Sequence, residues 1–148
     1  MGKEEVKRHN KTVLLYHMVF PLKYRRKVIT NEIGESLKEI CIEISLRYEI
    51  AFIEIGYESD HVHFLIQSVP TMCVFDIVRI VKSISAKQLF KRHPEIKAKL
   101  WGGNFWTSGY YVNTVGQYAS EDVIKQYIKN QGKVDEYKKV YESQLSLF

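Results

Sequence analysis

Residues 50–69 read IAFIEIGYESDHVHFLIQSV, two apolar segments joined by a short polar one. Both segments are rich in β-branched and aromatic residues, which is typical of strands at 50–57 and 61–69. Ser59 and Asp60 between them predict a tight turn, and Pro70 ends the second strand. This stretch therefore predicts a β-hairpin, around which the rest of the fold can be arranged.

Further elements lie on both sides of the hairpin. Residues 13–20 predict a strand ending at Pro21, and residues 110–115 predict another. Residues 31–49 predict an amphipathic helix whose inward positions recur every three or four residues: Ile33, Leu37, Ile40, Cys41 and Ile44. Residues 74–92 predict a second helix, followed by a short link and an aromatic loop at 101–106.

The order βαββαβ predicts an α+β fold of the ferredoxin-like or RRM-like kind, an antiparallel sheet backed by two helices. A further helix begins at Ser120 and ends at Gly132, and an amphipathic tail fills 133–148. We expect a single domain over 1–148, with 1–10 and 133–148 as peripheral segments. Many unrelated functions use this fold, so the fold alone names no chemistry.

The composition excludes several classes of protein. The 148 residues are 45% hydrophobic and 26% charged with 3 Pro and 8 Gly, which excludes a disordered or low-complexity chain. No uncharged apolar run approaches the about 18 residues of a membrane span, and the N-terminus lacks a signal core, so we expect a cytoplasmic protein without a membrane partner. We predict that Cys41 and Cys73 are reduced thiols in the core.

The net charge of +5 is divided between regions of opposite sign. Residues 1–30 have a net charge of +6, residues 79–99 also have +6, and residues 31–78 have −7. On the second helix the pattern places Ile77, Val78, Val81, Ile84, Gln88 and Leu89 inside, and Arg79, Lys82, Ser83 and Lys87 outside. Two basic regions are either solvated faces or a surface for a nucleic-acid backbone, and their number favours the latter.

His61-Val62-His63 is the most informative short motif. Alternate residues of a strand share a face, so both imidazoles project together and can chelate one metal ion. The competing interpretation is a pair of ordinary polar residues on the water-facing side of the strand.

Tyr127 and Gln131 are four residues apart on the helix that begins at Ser120, and therefore neighbours on one helix face. Gln131 offers a neutral oxygen as a third metal ligand, and Tyr127 offers a phenol one turn away. The competing interpretation is that Tyr127 belongs to an apolar packing stripe with Val123, Ile124 and Ile128.

Four segments in this order resemble the single-tyrosine HUH transposases of small insertion sequences, to which REP-associated tyrosine transposases are related. They are FPLKYRR at 20–26, ESDHVH at 58–63, WGGNFWTSGYYV at 101–112, and Tyr127 with Gln131. HUH denotes His, a hydrophobic residue, His, which is His61-Val62-His63 in this chain. The resemblance covers nearly the whole sequence.

The resemblance implies a metal-dependent enzyme that cleaves and rejoins single-stranded DNA. Tyr127 is then the nucleophile that forms a 5′-phosphotyrosine, and His61, His63 and Gln131 hold one Mg²⁺ or Mn²⁺. No ATP is required, and the chain has no Gly-rich phosphate loop followed by Lys-Ser/Thr. Imidazole ligands suit Mn²⁺ better than Mg²⁺, so the choice of metal stays open.

The resemblance also implies partners. The relatives are homodimers that bind DNA hairpins near element ends, and their active sites can be shared between subunits. Gly116 then serves as a hinge or as a simple turn residue. The residues that would contact the DNA backbone are basic: Arg25, Arg26, Arg79, Lys82 and Lys87. Aromatic residues of the loop and last strand either stack on bases or pack in the core or dimer interface: Phe105, Trp106, Tyr110 and Tyr111.

Three alternatives stay open. One is a domesticated relative acting on chromosomal repeat hairpins. Another is a non-catalytic nucleic-acid-binding module of the same fold, which has no use for the two His, the Tyr and the Gln. The last is a phosphoesterase with paired His and no covalent step, for which His9, His17 and His93 supply no second pair.

Overall fold

The computed structural model describes residues 5–7, 10–12, 14–100 and 103–115. The described elements, with a 3₁₀ turn at Lys23–Arg25 besides, are β1 (Glu5–Lys7), β2 (Asn10–Thr12), β3 (Leu14–Pro21), α1 (Asn31–Arg47), β4 (Ala51–Glu58), β5 (His61–Ser68), α2 (Val74–Arg92), α3 (Ile96–Leu100) and β6 (Tyr111–Thr114). The predicted strands and first helix are confirmed with ends shifted by one or two residues, and the bounds of α2 are as predicted.

One antiparallel sheet organises the described chain. Its strand order is β4-β5-β3-β6, and β3 and β5 are the central pair. Met18 on β3 lies between Phe64 on β5 and Val112 on β6. This arrangement confirms the predicted ferredoxin-like α+β fold. A separate two-stranded hairpin, β1 with β2, was not predicted, because its short polar strands have no apolar alternation.

Helix α1 packs closely on the sheet. Its N-terminus is capped by Thr30, whose Oγ1 accepts a hydrogen bond from the Ile33 backbone N–H at 3.3 Å. All five residues predicted to face inward are buried. Gly34 is also buried, and a Cβ added there would overlap the ring of Tyr57 on β4. The glycine therefore allows α1 to approach the edge strand.

Helix α2 buries a slightly different set of residues from the predicted one. Ile77, Val78, Val81 and Leu89 are buried as expected, and Ile84 packs against the core while partly exposed. Gln88, which was also predicted to face inward, is only partly buried. Ile80 and Ser85 are buried instead. The reason is a polar contact that periodicity does not encode: Trp106 Nε1–H donates to Ser85 Oγ at 2.9 Å, which turns this flank of the helix toward the aromatic loop.

The core lies between the sheet and the two long helices. Aromatic rings connect the layers: Phe20 on β3 lies 5.0 Å from Phe64 on β5 and 5.6 Å from Trp106, measured between ring centroids. Phe105 is 4.6 Å from Trp106 and 6.1 Å from Phe90 of α2. Burying such rings gives the core much of its apolar area.

Two further predictions need correction. Cys41 is buried as predicted, but Cys73 is exposed at the start of α2, where its Sγ donates to Asp76 Oδ2 at 3.2 Å. The link after α2 includes the short helix α3.

None of the helices in the described part of the chain has the length and apolarity needed to span a bilayer. The predicted helix at 120–132 and the tail at 133–148 lie outside the described residues.

Candidate active site

His61 and His63 lie on the face of β5 that points away from the helices. Their neighbours Val62 and Phe64 point into the core, so strand alternation places both imidazoles together as predicted. The ring centroids are 4.8 Å apart and the planes are inclined by 78°. The two side chains therefore meet in the folded chain, on a central strand whose register is fixed from both sides.

Burial distinguishes the two interpretations of this pair. His63 is only 1% exposed, and the His61 side chain is 21% exposed. The interpretation of both as polar residues on a water-facing strand is therefore wrong for His63. Burial, and secondarily the nearby His17 and His61, lower the pKa of His63 well below its ordinary value. His63 is thus a neutral imidazole at pH 7, the form that binds metal ions.

A third imidazole joins the pair from β3. His17 is 4% exposed, and its ring stacks on His63 with centroids 5.8 Å apart and planes inclined by 7°. Burial lowers the pKa of His17 to about 4. The sequence interpretation placed no other histidine near the pair. His17 could have been placed near the pair only by predicting that β3 and β5 are neighbouring strands. In that pairing, residues 15, 17 and 19 share the face of residues 61, 63 and 65.

Polar contacts fix the orientation of His61. Its Nδ1–H donates to Asp60 Oδ1 at 2.7 Å, and Arg25 Nε–H donates to Asp60 Oδ2 at 3.2 Å. Burial alone would raise the pKa of the Asp60 carboxyl, but the hydrogen bond from His61 and the charge of Arg25 outweigh it and lower that pKa. Asp60 is therefore an ionised acceptor for His61, which leaves His61 Nε2 as the atom with a lone pair.

Two of the predicted metal ligands, His61 and His63, lie within the described residues. Within residues 5–7, 10–12, 14–100 and 103–115, no group of three or more His, Cys, Asp or Glu side chains is placed to hold a metal ion. The donor chemistry nevertheless fits a divalent cation, since two imidazoles lie side by side on β5. A cation would need at least one donor besides these two. The predicted third ligand Gln131, the predicted nucleophile Tyr127 and the predicted hinge Gly116 lie outside the described residues.

Comparison with known proteins identifies the family. The sequence model described as "Transposase IS200 like" matches residues 10–131, a range that includes both histidines, Tyr127 and Gln131. This chain belongs to the IS200-like transposase family. The match confirms the resemblance that the sequence motifs indicated.

Individual proteins similar to this IS200-like transposase support the family assignment. The ISDra2 transposase TnpA of Deinococcus radiodurans is 35% identical over 118 residues, covering 80% of this chain and 84% of the relative. The transposase for the insertion sequence element IS200 of Salmonella typhimurium is 33% identical over 135 residues, covering 88% and 85%.

Solved structures agree on the fold. A crystal structure from Deinococcus radiodurans R1, of a protein described as a transposase, has a TM-score of 0.70 at 32% identity and covers 86% of this chain and 97% of that one. A REP-associated tyrosine transposase bound to a REP hairpin has a TM-score of 0.58 at 13% identity, with coverage of 91% and 76%. The second likeness shows the fold alone.

The basic residues predicted to contact DNA have different environments in this IS200-like transposase. Arg79 and Lys87 are exposed on α2, as predicted. Lys82 was predicted to face outward, but it is partly buried: its Nζ donates to the Thr107 and Gly109 carbonyl oxygens at 2.8 and 2.9 Å. Burial lowers the pKa of Lys82. Arg25 is exposed but contacts Asp60, and Arg26 is partly buried.

The aromatic residues also divide into two groups. Phe105 and Trp106 are 1% and 6% exposed, so they are core residues and cannot stack on bases. Tyr110 and Tyr111 are 40% and 58% exposed. A groove of about 470 Å³ runs between α2 and the loop before β6, and its lining includes Lys23, Phe75, Arg79, Lys82 and Tyr110. Cations and an exposed aromatic ring therefore line the same concave surface.

Proposed function

We propose that this IS200-like transposase cleaves and rejoins single-stranded DNA through a covalent bond to Tyr127, at a divalent cation held by His61, His63 and Gln131. The observation that supports this most is the imidazole pair on β5, with His63 buried and neutral. A neutral imidazole beside a second imidazole offers the nitrogen donors that divalent cations bind, so the pair favours a functional role. The range matched by the family includes all four residues.

The proposed reaction is a transesterification. The Tyr127 oxygen forms a bond to a backbone phosphorus as the bond from that phosphorus to the 3′ oxygen breaks. The phenol proton ends on the departing 3′-OH, and the strand on the 3′ side of the break stays attached to Tyr127 through its 5′ phosphate. The 3′-OH of another strand then attacks the same phosphorus. The bond to Tyr127 breaks, the phenol regains its proton, and the two strands are joined. One phosphodiester replaces another, so no ATP is consumed.

The chain's own side chains prepare the reaction. A phenol with a pKa near 10 is mostly protonated at neutral pH, so it needs help with the charge that develops. When bound, Mg²⁺ or Mn²⁺ would neutralise charge on the phosphoryl oxygens. His61 and His63 would hold it through neutral nitrogens, and Gln131 through an amide oxygen. A site with two nitrogens favours Mn²⁺.

The DNA surface in this proposal is the groove beside α2. Arg79 lines this groove and would contact phosphates there, whereas Lys87, Arg25 and Arg26 lie outside its lining and would contact the DNA backbone beyond it. Lys82 would act by holding the loop at Thr107 and Gly109. Tyr110 is exposed enough to stack on a base. Since a protein of the same fold binds a REP hairpin, we extend hairpin recognition at element ends to this chain.

We further propose a homodimer. Tyr127 of one subunit would meet the histidine pair of its partner, and Gly116 would act as the hinge between β6 and the helix with Tyr127. Glycine suits that role because it adopts many backbone conformations at little cost.

The decisive experiment is a covalent-adduct assay. The full chain is incubated with labelled single-stranded DNA containing an element end and its hairpin, plus Mn²⁺, and then denatured. We expect a labelled adduct that disappears in Tyr127→Phe and falls at least about 100-fold in His61→Ala, because each lacks one reacting component. Tyr48→Phe removes a phenol at the end of α1 and serves as the matched control, with an unchanged adduct.

The outcomes separate the alternatives. An adduct that persists in Tyr127→Phe would contradict the nucleophile, and cleavage without any adduct would indicate a phosphoesterase. Binding without cleavage would indicate a nucleic-acid-binding module. A preference for chromosomal repeat hairpins over element ends would indicate a domesticated relative. Activity restored by mixing Tyr127→Phe with His61→Ala supports shared sites, and no restoration contradicts them.

A further inference from the structure

The turn after β3 has an unusual backbone. Tyr24 and Arg25 have φ angles of 58° and 52°, the left-handed region that side-chain-bearing residues rarely adopt. Two hydrogen bonds hold the start of this turn: Leu22 N–H donates to the Asp60 carbonyl and Lys23 N–H to the Phe105 carbonyl, each at 2.9 Å. Such conformations persist only where the surroundings fix them, and they concentrate at functional sites.

The consequence of this turn is the position of the Arg25 side chain. Arg25 reaches across to the β4–β5 turn, where its Nε and Nη2 both lie 3.2 Å from Asp60 Oδ2. The backbone of the same turn is tied to Asp60 through Leu22, so side chain and main chain are fixed together. The Arg25 side chain is 61% exposed and the Asp60 side chain only 20% exposed. The Arg25–Asp60 ion pair therefore connects the protein surface with the partly buried surroundings of His61.

The two oxygens of Asp60 have separate partners. Oδ2 accepts from Arg25, and Oδ1 accepts from His61 Nδ1 at 2.7 Å. An arginine only donates and an ionised carboxylate only accepts, so this chain of contacts has one consistent direction. When the His61 ring is neutral, this direction places its proton on Nδ1 and its lone pair on Nε2.

We propose that Arg25 and Asp60 are positioning residues that hold His61 in the tautomer whose Nε2 binds the divalent cation. The inference rests on the proposed function, because it assumes that His61 is a metal ligand. A carboxylate behind a metal-binding histidine fixes both the ring orientation and the tautomer. Arg25 in turn prevents Asp60 from rotating, since the guanidinium group fixes one of its oxygens.

An isosteric substitution gives a sharp test. In Asp60→Asn the amide oxygen must face Arg25, which can only donate, so the amide NH₂ faces His61 Nδ1. His61 then accepts on Nδ1 and carries its proton on Nε2, the atom needed for the cation. Removing Arg25 as well frees the amide to turn its oxygen back toward His61. The double variant Arg25→Ala/Asp60→Asn should therefore bind metal better than Asp60→Asn alone.

The measurement is Mn²⁺ binding to the metal-free full chain by isothermal titration calorimetry. We expect Asp60→Asn to weaken Mn²⁺ binding about 10–100-fold, and Arg25→Ala about tenfold or less. Arg25→Lys retains the charge but loses the two-nitrogen contact, so it should fall between Arg25→Ala and the unchanged chain. Lys27→Ala removes an exposed cation two residues away and is the matched control, with unchanged Mn²⁺ affinity.

Nitrogen-15 NMR of the metal-free protein reads the tautomer without any catalysis. We expect His61 to be protonated on Nδ1 in the unchanged chain and on Nε2 in Asp60→Asn. Losses that simply add in the double variant, or an unchanged tautomer, would overturn the proposal. If His61→Ala abolishes Mn²⁺ binding while Asp60→Asn and Arg25→Lys leave it intact, this inference fails and the proposed function survives. If His61→Ala leaves Mn²⁺ binding intact, the proposed metal site itself fails.

Discussion

The two faces of the sheet are both buried along the central strands, but their side chains differ in kind. Toward the helices β3 and β5 present large apolar residues, among them Phe20 and Phe64. Toward the other side the same strands present His17 and His63, at 4% and 1% exposure, beside the apolar Val19 and Leu65. Burial alone therefore does not distinguish core from candidate site, whereas the chemistry of the buried groups does.

The difference shows what each face contributes. Apolar burial stabilises the fold by about 25 cal/mol per Å², so the helix-facing side supplies stability. Buried imidazoles lose hydration and their charged form, which the lowered pKa values of His17 and His63 reflect. Below the ordinary pKa of histidine, holding these imidazoles neutral costs stability that an apolar residue at the same position would not cost. We infer that the helix-facing side provides the stability that the histidine side gives up.

The largest effect should come from substituting two adjacent residues on opposite faces. Phe64→Ala removes a fully buried ring from the core and should lower the free energy of unfolding by about 3–5 kcal/mol. His63→Leu replaces a buried imidazole by an apolar group that keeps most of the space filled, so it should cost much less stability than Phe64→Ala. Urea denaturation measures both, and the adduct assay should show His63→Leu inactive. Equal destabilisation by the two would mean that His63 is a packing residue.

The same alternation that separates these faces made much of the fold predictable. The strand pattern around His61 and the spacing of apolar residues in 31–49 depend only on local geometry, and both were confirmed. His17 was missed because its place beside His63 depends on pairing between strands more than 40 residues apart in sequence. Lys82 was misplaced because periodicity cannot reveal that backbone carbonyls at 107 and 109 accept from it.

The second prediction concerns the pH dependence of that histidine face. Burial lowers the pKa of His17 from an ordinary 6.5 to about 4, so between these values the unfolded chain binds a proton that the folded chain does not. The contribution of His17 to the free energy of unfolding is therefore fully present above pH 6.5. It is lost as the pH drops toward 4, by up to about 3 kcal/mol. His63, stacked on His17, acts in the same direction.

Urea denaturation of the metal-free protein at pH 4.5 to 8 measures this term. His17→Leu should flatten the profile between pH 4.5 and 6.5, because it removes one of the groups that take up a proton on unfolding. Asp60 and Glu35, whose pKa values are also lowered, change stability mainly at more acidic pH. An unchanged profile in His17→Leu would show that His17 is not held neutral by burial.

The smallest effect tests how closely the helix-facing side is packed. Alanine favours a helix over glycine by about 1 kcal/mol, so Gly34→Ala in open space would stabilise α1. Here the added Cβ overlaps the Tyr57 ring, and overpacking of this kind costs about 1–3 kcal/mol, so we expect a net loss of about 1 kcal/mol. Thermal denaturation measures it, and Gly34→Ala/Tyr57→Leu should recover the loss because the smaller side chain makes room. Mn²⁺ affinity should not change in either variant, since α1 packs on the face opposite to the histidines. A stabilised Gly34→Ala would mean that the Tyr57 ring can move aside and that even the helix-facing side is loosely packed at this edge.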